Sequence, residues 1–207
     1  YASAETRLNW KGKLTQTIDN REVYPRAVQE TLPVWVATGG NVESTIKVAQ
    51  KGLPIAYAII GGQPKRFKPL LDAYRRIGQE SGHSDEKLKI AAHSWGWVME
   101  DNEEAVRTYF HPTKQVVDAI SKDRPHWREM TYEQYLDQVG PEGAMFVGSP
   151  EKVAQKLIKM IEELGLDRFM LHLTLGSLPH EQVLQSIELF GTKVAPLVRE
   201  YFAAKGK

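Results

Sequence analysis

The stretch that most constrains this chain is Leu32-Pro33-Val34-Trp35-Val36-Ala37-Thr38-Gly39-Gly40-Asn41-Val42-Glu43-Ser44-Thr45, an apolar run that breaks at two adjacent glycines and restarts as a helix. Val34 to Ala37 carry no charge and are mostly β-branched or aromatic, the pattern of a strand buried on both faces of a parallel sheet. Thr38 to Asn41 then form a tight turn. The glycines permit positive φ and close approach to the main chain, and Asn41 caps a helix that starts at Val42. Such a turn presents free N–H groups at a helix N-terminus, with the hydroxyls of Thr38, Ser44 and Thr45 as further donors, and so suits a phosphate. An ordinary βα turn that needs glycine for geometry alone remains the other reading of these residues.

The unit then repeats. A helix from Val42 to about Lys51 stops at Gly52, and a second apolar run, Pro54 to Ile60, ends in Gly61-Gly62. The next helix runs from near Pro64 to Glu80, with Phe67, Leu70, Leu71, Tyr74 and Ile77 at spacings of three and four. Lys87 to Val98 reads as a third strand, followed by a helix from Asn102 to about Ile120. Residues 121–144 mix charge with aromatics and have no strong period, so they read as an insertion with one short helix, a candidate lid. Phe146-Val147-Gly148 leads into Ser149-Pro150-Glu151, where an N-cap serine, a first-turn proline and an acidic residue mark a helix start. A fourth strand spans Arg168 to Leu173. The last helix runs from about His180 to Phe202, and Pro196 predicts a break near Val194. Residues 1–31 read as a connecting segment, with a turn at Asn9 to Lys13 and a short extended piece ending at Val23-Tyr24-Pro25.

Strands alternating with helices predict an α/β fold with a parallel sheet and right-handed crossovers. Two closures compete: a doubly wound sheet, or a barrel segment with all helices outside and every strand end at one rim. Each strand ends in glycine or small polar residues, which suits a rim where ligands approach backbone. Four strands cannot close an eight-stranded barrel, so on that reading the chain is about half of one. Its 207 residues predict a single domain, 1–207. With 27 Lys plus Arg against 26 Asp plus Glu there is no basic stripe, which argues against nucleic acid. The absence of cysteine excludes a disulfide framework and a thiolate site, and suits a cytoplasmic protein. Apolar runs too short to span a bilayer predict no membrane partner. The first residue is Tyr, which points to a trimmed or partial chain.

Val36 to Ser44 followed by Lys51-Gly52-Leu53-Pro54 resembles the second half of the bacterial luciferase-like, flavin-dependent monooxygenase family. Tyr74-Arg75-Arg76 with Ser81-Gly82-His83, Phe146 to Val153, Asp167-Arg168-Phe169, Leu178-Pro179-His180-Glu181, and Glu188-Leu189-Phe190-Gly191 with Val194-Ala195-Pro196 resemble family signatures in the family order. The resemblance covers about residues 9 to 203 and implies the C-terminal half of a (βα)8 TIM-type barrel, with residues 33 to 203 as strands five to eight. It implies FMN, reduced by NAD(P)H-dependent chemistry, acting with dioxygen on a small-molecule substrate; a deazaflavin is the second choice. By position Thr38, Gly39, Gly40 and Ser44 match the flavin-phosphate turn. The catalytic histidine of the family belongs to the half that has no counterpart here, so no catalytic residue is assigned. The alternative is a non-catalytic flavin- or phosphate-binding half-barrel.

His93, Trp95 and His172 lie inside strands and are candidates for the substrate pocket, with core packing as the plainer reading. His180 suits a helix start, while His83, His111 and His126 read as surface residues. No histidine pair has the spacing of a metal site. A half-barrel leaves two sheet edges and an interior face uncovered, so a homo-oligomer or association with the missing half is expected.

Overall fold

A computed structural model describes residues 7–30, 32–124 and 127–206, and the chain divides into two compact units that part between Trp35 and Val36. His126 lies outside the described residues. In the first unit, β1 (Leu8–Trp10) and β2 (Ile18–Arg21) form an antiparallel hairpin. Polar contacts fasten it: Arg7 donates to Asn20 Oδ1 at 2.8 Å, and Trp10 Nε1 donates to Thr15 Oγ1 at 2.9 Å.

The second unit contains β3 (Val36–Thr38), α1 (Val42–Gln50), β4 (Ile55–Ala58), a 3-10 turn (Pro64–Phe67) that enters α2 (Lys68–Glu80), and β5 (Ile90–Val98). It continues with α3 (Asn102–Asp123), α4 (Tyr132–Val139), β6 (Phe146–Gly148), α5 (Pro150–Leu164), β7 (Arg168–His172), α6 (His180–Leu189) and α7 (Ala195–Ala204). The sheet runs β3-β4-β5, with β6 and β7 both paired to β5, and every pairing is parallel. The four strands read from sequence are therefore adjacent and sequential, without the reversal of a doubly wound sheet. Parallel strands with crossover helices in this order are half of a (βα)8 barrel.

Strand β6 is an addition to the expected set. It pairs with Gly96 to Val98, whereas β7 pairs with Ala91 to Trp95, so β5 exchanges one partner for another along its length. Gly96 sits at the exchange. A Cβ there would lie 2.4 Å from Leu171 Cδ1 and 2.6 Å from the Phe146 carbonyl oxygen, so no side chain fits.

Alternation along each strand separates two faces. Ile55 and Tyr57 of β4, Ile59 just after it, and Ile90 and Ala92 of β5 share one core with Ala49 of α1, Leu71 and Tyr74 of α2, and Leu157 of α5. Tyr74 donates to the Leu53 carbonyl at 2.7 Å, so its hydroxyl is satisfied in that core. A second cluster gathers Trp95 and Trp97 with Tyr109 and Val117 of α3 and Tyr135 of α4. Trp97 stacks on Tyr109 with ring centroids 5.9 Å apart.

The first strand corrects the sequence reading. Strand β3 is an edge strand rather than one buried on both faces: Val34, just before it, is 49% exposed, Ala37 is exposed, and Val36 alone of the strand's apolar residues packs on the core. An uncharged run does not reveal a missing neighbour. Helix ends follow the sequence signals more closely. The Asn41 side chain accepts from Ser44 N at 2.8 Å, and Thr131 and Gln134 form a capping box on α4. The break expected near Val194 is a π-helical turn, Phe190–Val194, which widens the helix just ahead of Pro196, a residue with no N–H to donate. Among the described residues no helix is long and apolar enough to cross a membrane.

Candidate functional site

The C-terminal ends of the strands meet the insertion around a cavity of about 550 Å³. Gly39 from the β3 turn, Ala58 and the Gly61-Gly62 pair after β4, and Trp95 of β5 form its strand side. Trp127, Arg128, Met130, Gln134, Gln138 and Met145 face them. Strands thus supply small residues and backbone, and the insertion supplies bulk. The Trp95 and Trp127 ring centroids lie 6.3 Å apart. A larger hollow of about 650 Å³ has Glu100, Asp101, Glu104, Glu188 and Lys193 in its wall and none of the glycine turns, and its carboxylates outnumber its single lysine, which is paired with Glu100.

At the β3–α1 turn, Gly40 has φ +102°, a conformation that glycine adopts readily, and a Cβ there would lie 3.0 Å from the Phe67 ring. Thr38 Oγ1 accepts weakly from the Gly40 and Asn41 amides, both at 3.3 Å. With Ser44 N capped, the Val42 and Glu43 amides of the first turn carry no side-chain cap. Thr45 corrects the donor set. Its hydroxyl is fully buried, donates to the Asn41 carbonyl at 3.0 Å and lies 3.0 Å from Tyr57 Oη, so it belongs to the core. Burial pushes the Tyr57 hydroxyl up to about 12, so it stays protonated.

The pocket candidates separate. Trp95 lines the cavity, while His93 and His172, their tilted rings 5.6 Å apart on adjacent strands, do not line it. Burial, and then the neighbouring His172, hold His93 below the ordinary histidine range. His172 Nε2 lies 3.1 Å from Thr174 Oγ1. His180 opens α6, and His111 is exposed. His83, by contrast, is half-buried, its Nε2 2.9 Å from the Gln50 carbonyl at the end of α1.

Two lysines fasten the insertion. Lys156 of α5 donates to the carbonyls of Gln138, Val139, Gly140 and Met145 at 2.6 to 3.3 Å, which caps the C-terminus of α4 from another helix. Burial pulls this ammonium down to about 7, with Glu142 opposing. At the other end, Lys114 bridges Asp118 and the Met130 carbonyl, and Asp118 accepts from Met130 N at 2.8 Å. Sequence reasoning missed Trp127, Arg128, Gln134 and Gln138 because the insertion has no period to place them. The one available signal was Trp127-Arg128 within an otherwise patternless segment. Among the described residues no group of three or more His, Asp or Glu could hold a metal.

Solved structures with the same fold include monooxygenase RslO1 from Streptomyces bottropensis, at TM-score 0.74 and 18% identity over 93% of this chain and 56% of that one. The coenzyme F420-dependent tetrahydromethanopterin reductase of Methanopyrus kandleri matches at TM-score 0.63 and 16% identity, over 93% of this chain and 58% of that one. The oxygenating constituent of 3,6-diketocamphane monooxygenase from Pseudomonas putida, in complex with FMN, matches at TM-score 0.60 and 16% identity, over 93% and 59%. This chain therefore spans somewhat more than half the length of those proteins. A search of curated proteins gave no match. The family model for luciferase-like monooxygenases matches residues 2–168. A parallel half-barrel with its glycine turns at one rim, and a family match over most of its length, place this chain in the luciferase-like monooxygenase family.

Proposed function

We propose that this chain carries the flavin-phosphate rim of an FMN-dependent monooxygenase that uses reduced flavin and dioxygen on a small organic substrate. The observation that supports this most is the Thr38 to Ser44 turn, where paired glycines open a helix and Gly39 faces the cavity beside Trp95. The residues suit the group: nothing lies within 4 Å of where a Gly39 Cβ would be, so a ligand reaches the backbone there. The Gly39 and Gly40 amides and the Ser44 hydroxyl would hold the phosphate, helped by the positive end of the α1 dipole. Thr38 braces the turn from inside. Bound flavin supplies the electrons that activate dioxygen, chemistry that no side chain here offers. Phe67, Trp95 and Trp127 supply the large aromatic groups of the lining, which would shield a bound ring from water on that side. FMN is the first choice and a deazaflavin the second.

Titration with FMN, followed by quenching of flavin fluorescence, tests this reading. Saturable binding that weakens by about tenfold or more in Gly40→Val is expected, because a β-branched residue disfavours positive φ and crowds Phe67. Binding unaffected by that change would overturn it. A second reading, binding without turnover, is favoured by the share of its relatives that the chain spans. It predicts that dioxygen uptake with NADH and FMN stays at the rate of free flavin.

A further inference from the structure

The cavity has one charged residue in its lining, Arg128, and no carboxylate. Ion pairs are abundant elsewhere on this unit: Lys47 pairs with Glu43, Lys68 with Asp72, Arg76 with Glu80 and Lys193 with Glu100. Arg128 has no such partner among the described residues, although Glu129 follows it directly in sequence. An exposed guanidinium without a carboxylate partner, at the mouth of a cavity lined by both apolar and carboxamide groups, is a selective donor, since its planar fork matches a carboxylate or sulfonate in bidentate fashion. The walls beside it include Trp95 and Trp127, whose centroids lie 6.3 Å apart with the rings tilted by 49°, so an aromatic ligand would meet an indole edge or a single face there. Gln134 and Gln138 add carboxamides without adding charge. A volume of about 550 Å³ accommodates a one- or two-ring molecule.

We propose that the cavity takes a planar aromatic anion as substrate, with Arg128 pairing its carboxylate or sulfonate and Trp95 and Trp127 flanking its ring. This assignment rests on the reading of the cavity as the substrate side of a flavin site. It narrows that reading to an acidic aromatic compound and makes Arg128 the residue that discriminates against neutral analogues. Arg128 is exposed at the rim of the cavity, so the discrimination arises from the charge-assisted, bidentate pairing that an anion gains there and a neutral analogue does not.

Calorimetric titration of the 207-residue chain with 2-naphthoate and with neutral 2-naphthylmethanol tests the proposal. Naphthoate is expected to bind more tightly than the alcohol. Arg128→Gln should weaken naphthoate by about tenfold or more while leaving the alcohol within about twofold, and Arg128→Lys should fall between, since a point charge keeps attraction and loses the fork. Trp127→Ala should weaken both ligands. Equal affinity for the two ligands, or naphthoate binding indifferent to Arg128→Gln, would overturn the proposal. A parallel FMN titration separates the two readings. If Arg128→Gln weakens FMN and leaves naphthoate unchanged, Arg128 serves the flavin and the substrate assignment falls. If FMN does not bind while naphthoate binding depends on Arg128, the flavin reading falls and the anion site stands.

Discussion

The two faces of the sheet differ in what sits at alternate positions of the same strands. One face presents Ile55, Tyr57, Ile59, Ile90, Phe169 and Leu171, large groups packed under helices. The other presents Ala37, Ala56, Ala58 and Ala91 with His93, Met170 and His172, and much of it reaches solvent. A period of two therefore encodes two materials in one strand: a dry core and a half-wet floor made of small and titratable residues. The floor is where a barrel keeps its interior, so stability and function are separated by a single residue step.

The sharpest way to break this comparison is to truncate both faces. Leu71→Ala, under the covered face and fully buried, should cost about 3 to 5 kcal/mol in urea unfolding, because it leaves a cavity that the helices cannot close. Met170→Ala, 40% exposed on the other face, should cost below about 1 kcal/mol. Equal losses would mean that the floor is as tightly packed as the core. Gly96→Ala comes next, at about 1 to 3 kcal/mol, since its methyl group meets both Leu171 and the Phe146 backbone. A tolerated alanine there would show that β5 can slide between its partners.

Acid should act through the floor. Burial and His172 hold His93 below the ordinary histidine range, so the unfolded chain takes up this proton first as pH falls. The stability tied to His93 is complete above about 6.5 and is lost as pH falls through the lower folded value. His93→Gln should flatten that part of the pH profile, as read by the unfolding midpoint; an unchanged slope would assign it elsewhere. The smallest effect on stability is expected from Ala56→Glu, within about 0.5 kcal/mol, at a half-buried floor position. Its effect on assembly should be larger. Light scattering of the parent chain should give a mass above 23.4 kDa, as an uncovered floor favours association, and the added charge should shift it toward monomer. A parent chain that is monodisperse at 23.4 kDa would show that the floor stays bare.

The covered half of this architecture was legible because its signals are local and redundant. Asn41 and Ser149 each combine a side chain with a spacing, and the helix starts follow them. The glycine turns marked the strand ends for the same reason. Strand β6 was missed as a strand because three residues carry no period; the edge at the Val34 end followed from counting four strands of an eight-stranded barrel, whereas the exposure of β3 itself did not show in its uncharged run. The cavity was half legible. Gly39 and Trp95 follow from strand ends, while Trp127 and Arg128 reach it from the irregular segment ahead of α4, and Gln134 and Gln138 reach it from α4, a helix the sequence placed only as one short helix in the insertion.

The lysine ties at either end of the insertion decide how a ligand can get in. Lifting α4 away from the sheet would strip four carbonyls from Lys156 at one end and part Met130 from the Lys114–Asp118 pair at the other. Both losses leave polar groups without partners, which makes a swinging-door motion of the whole segment costly. Trp127 and Arg128 lie ahead of the Met130 tie, outside the stretch that the two lysines fasten, so the one charged group of the lining can change rotamer without unfastening the segment behind it.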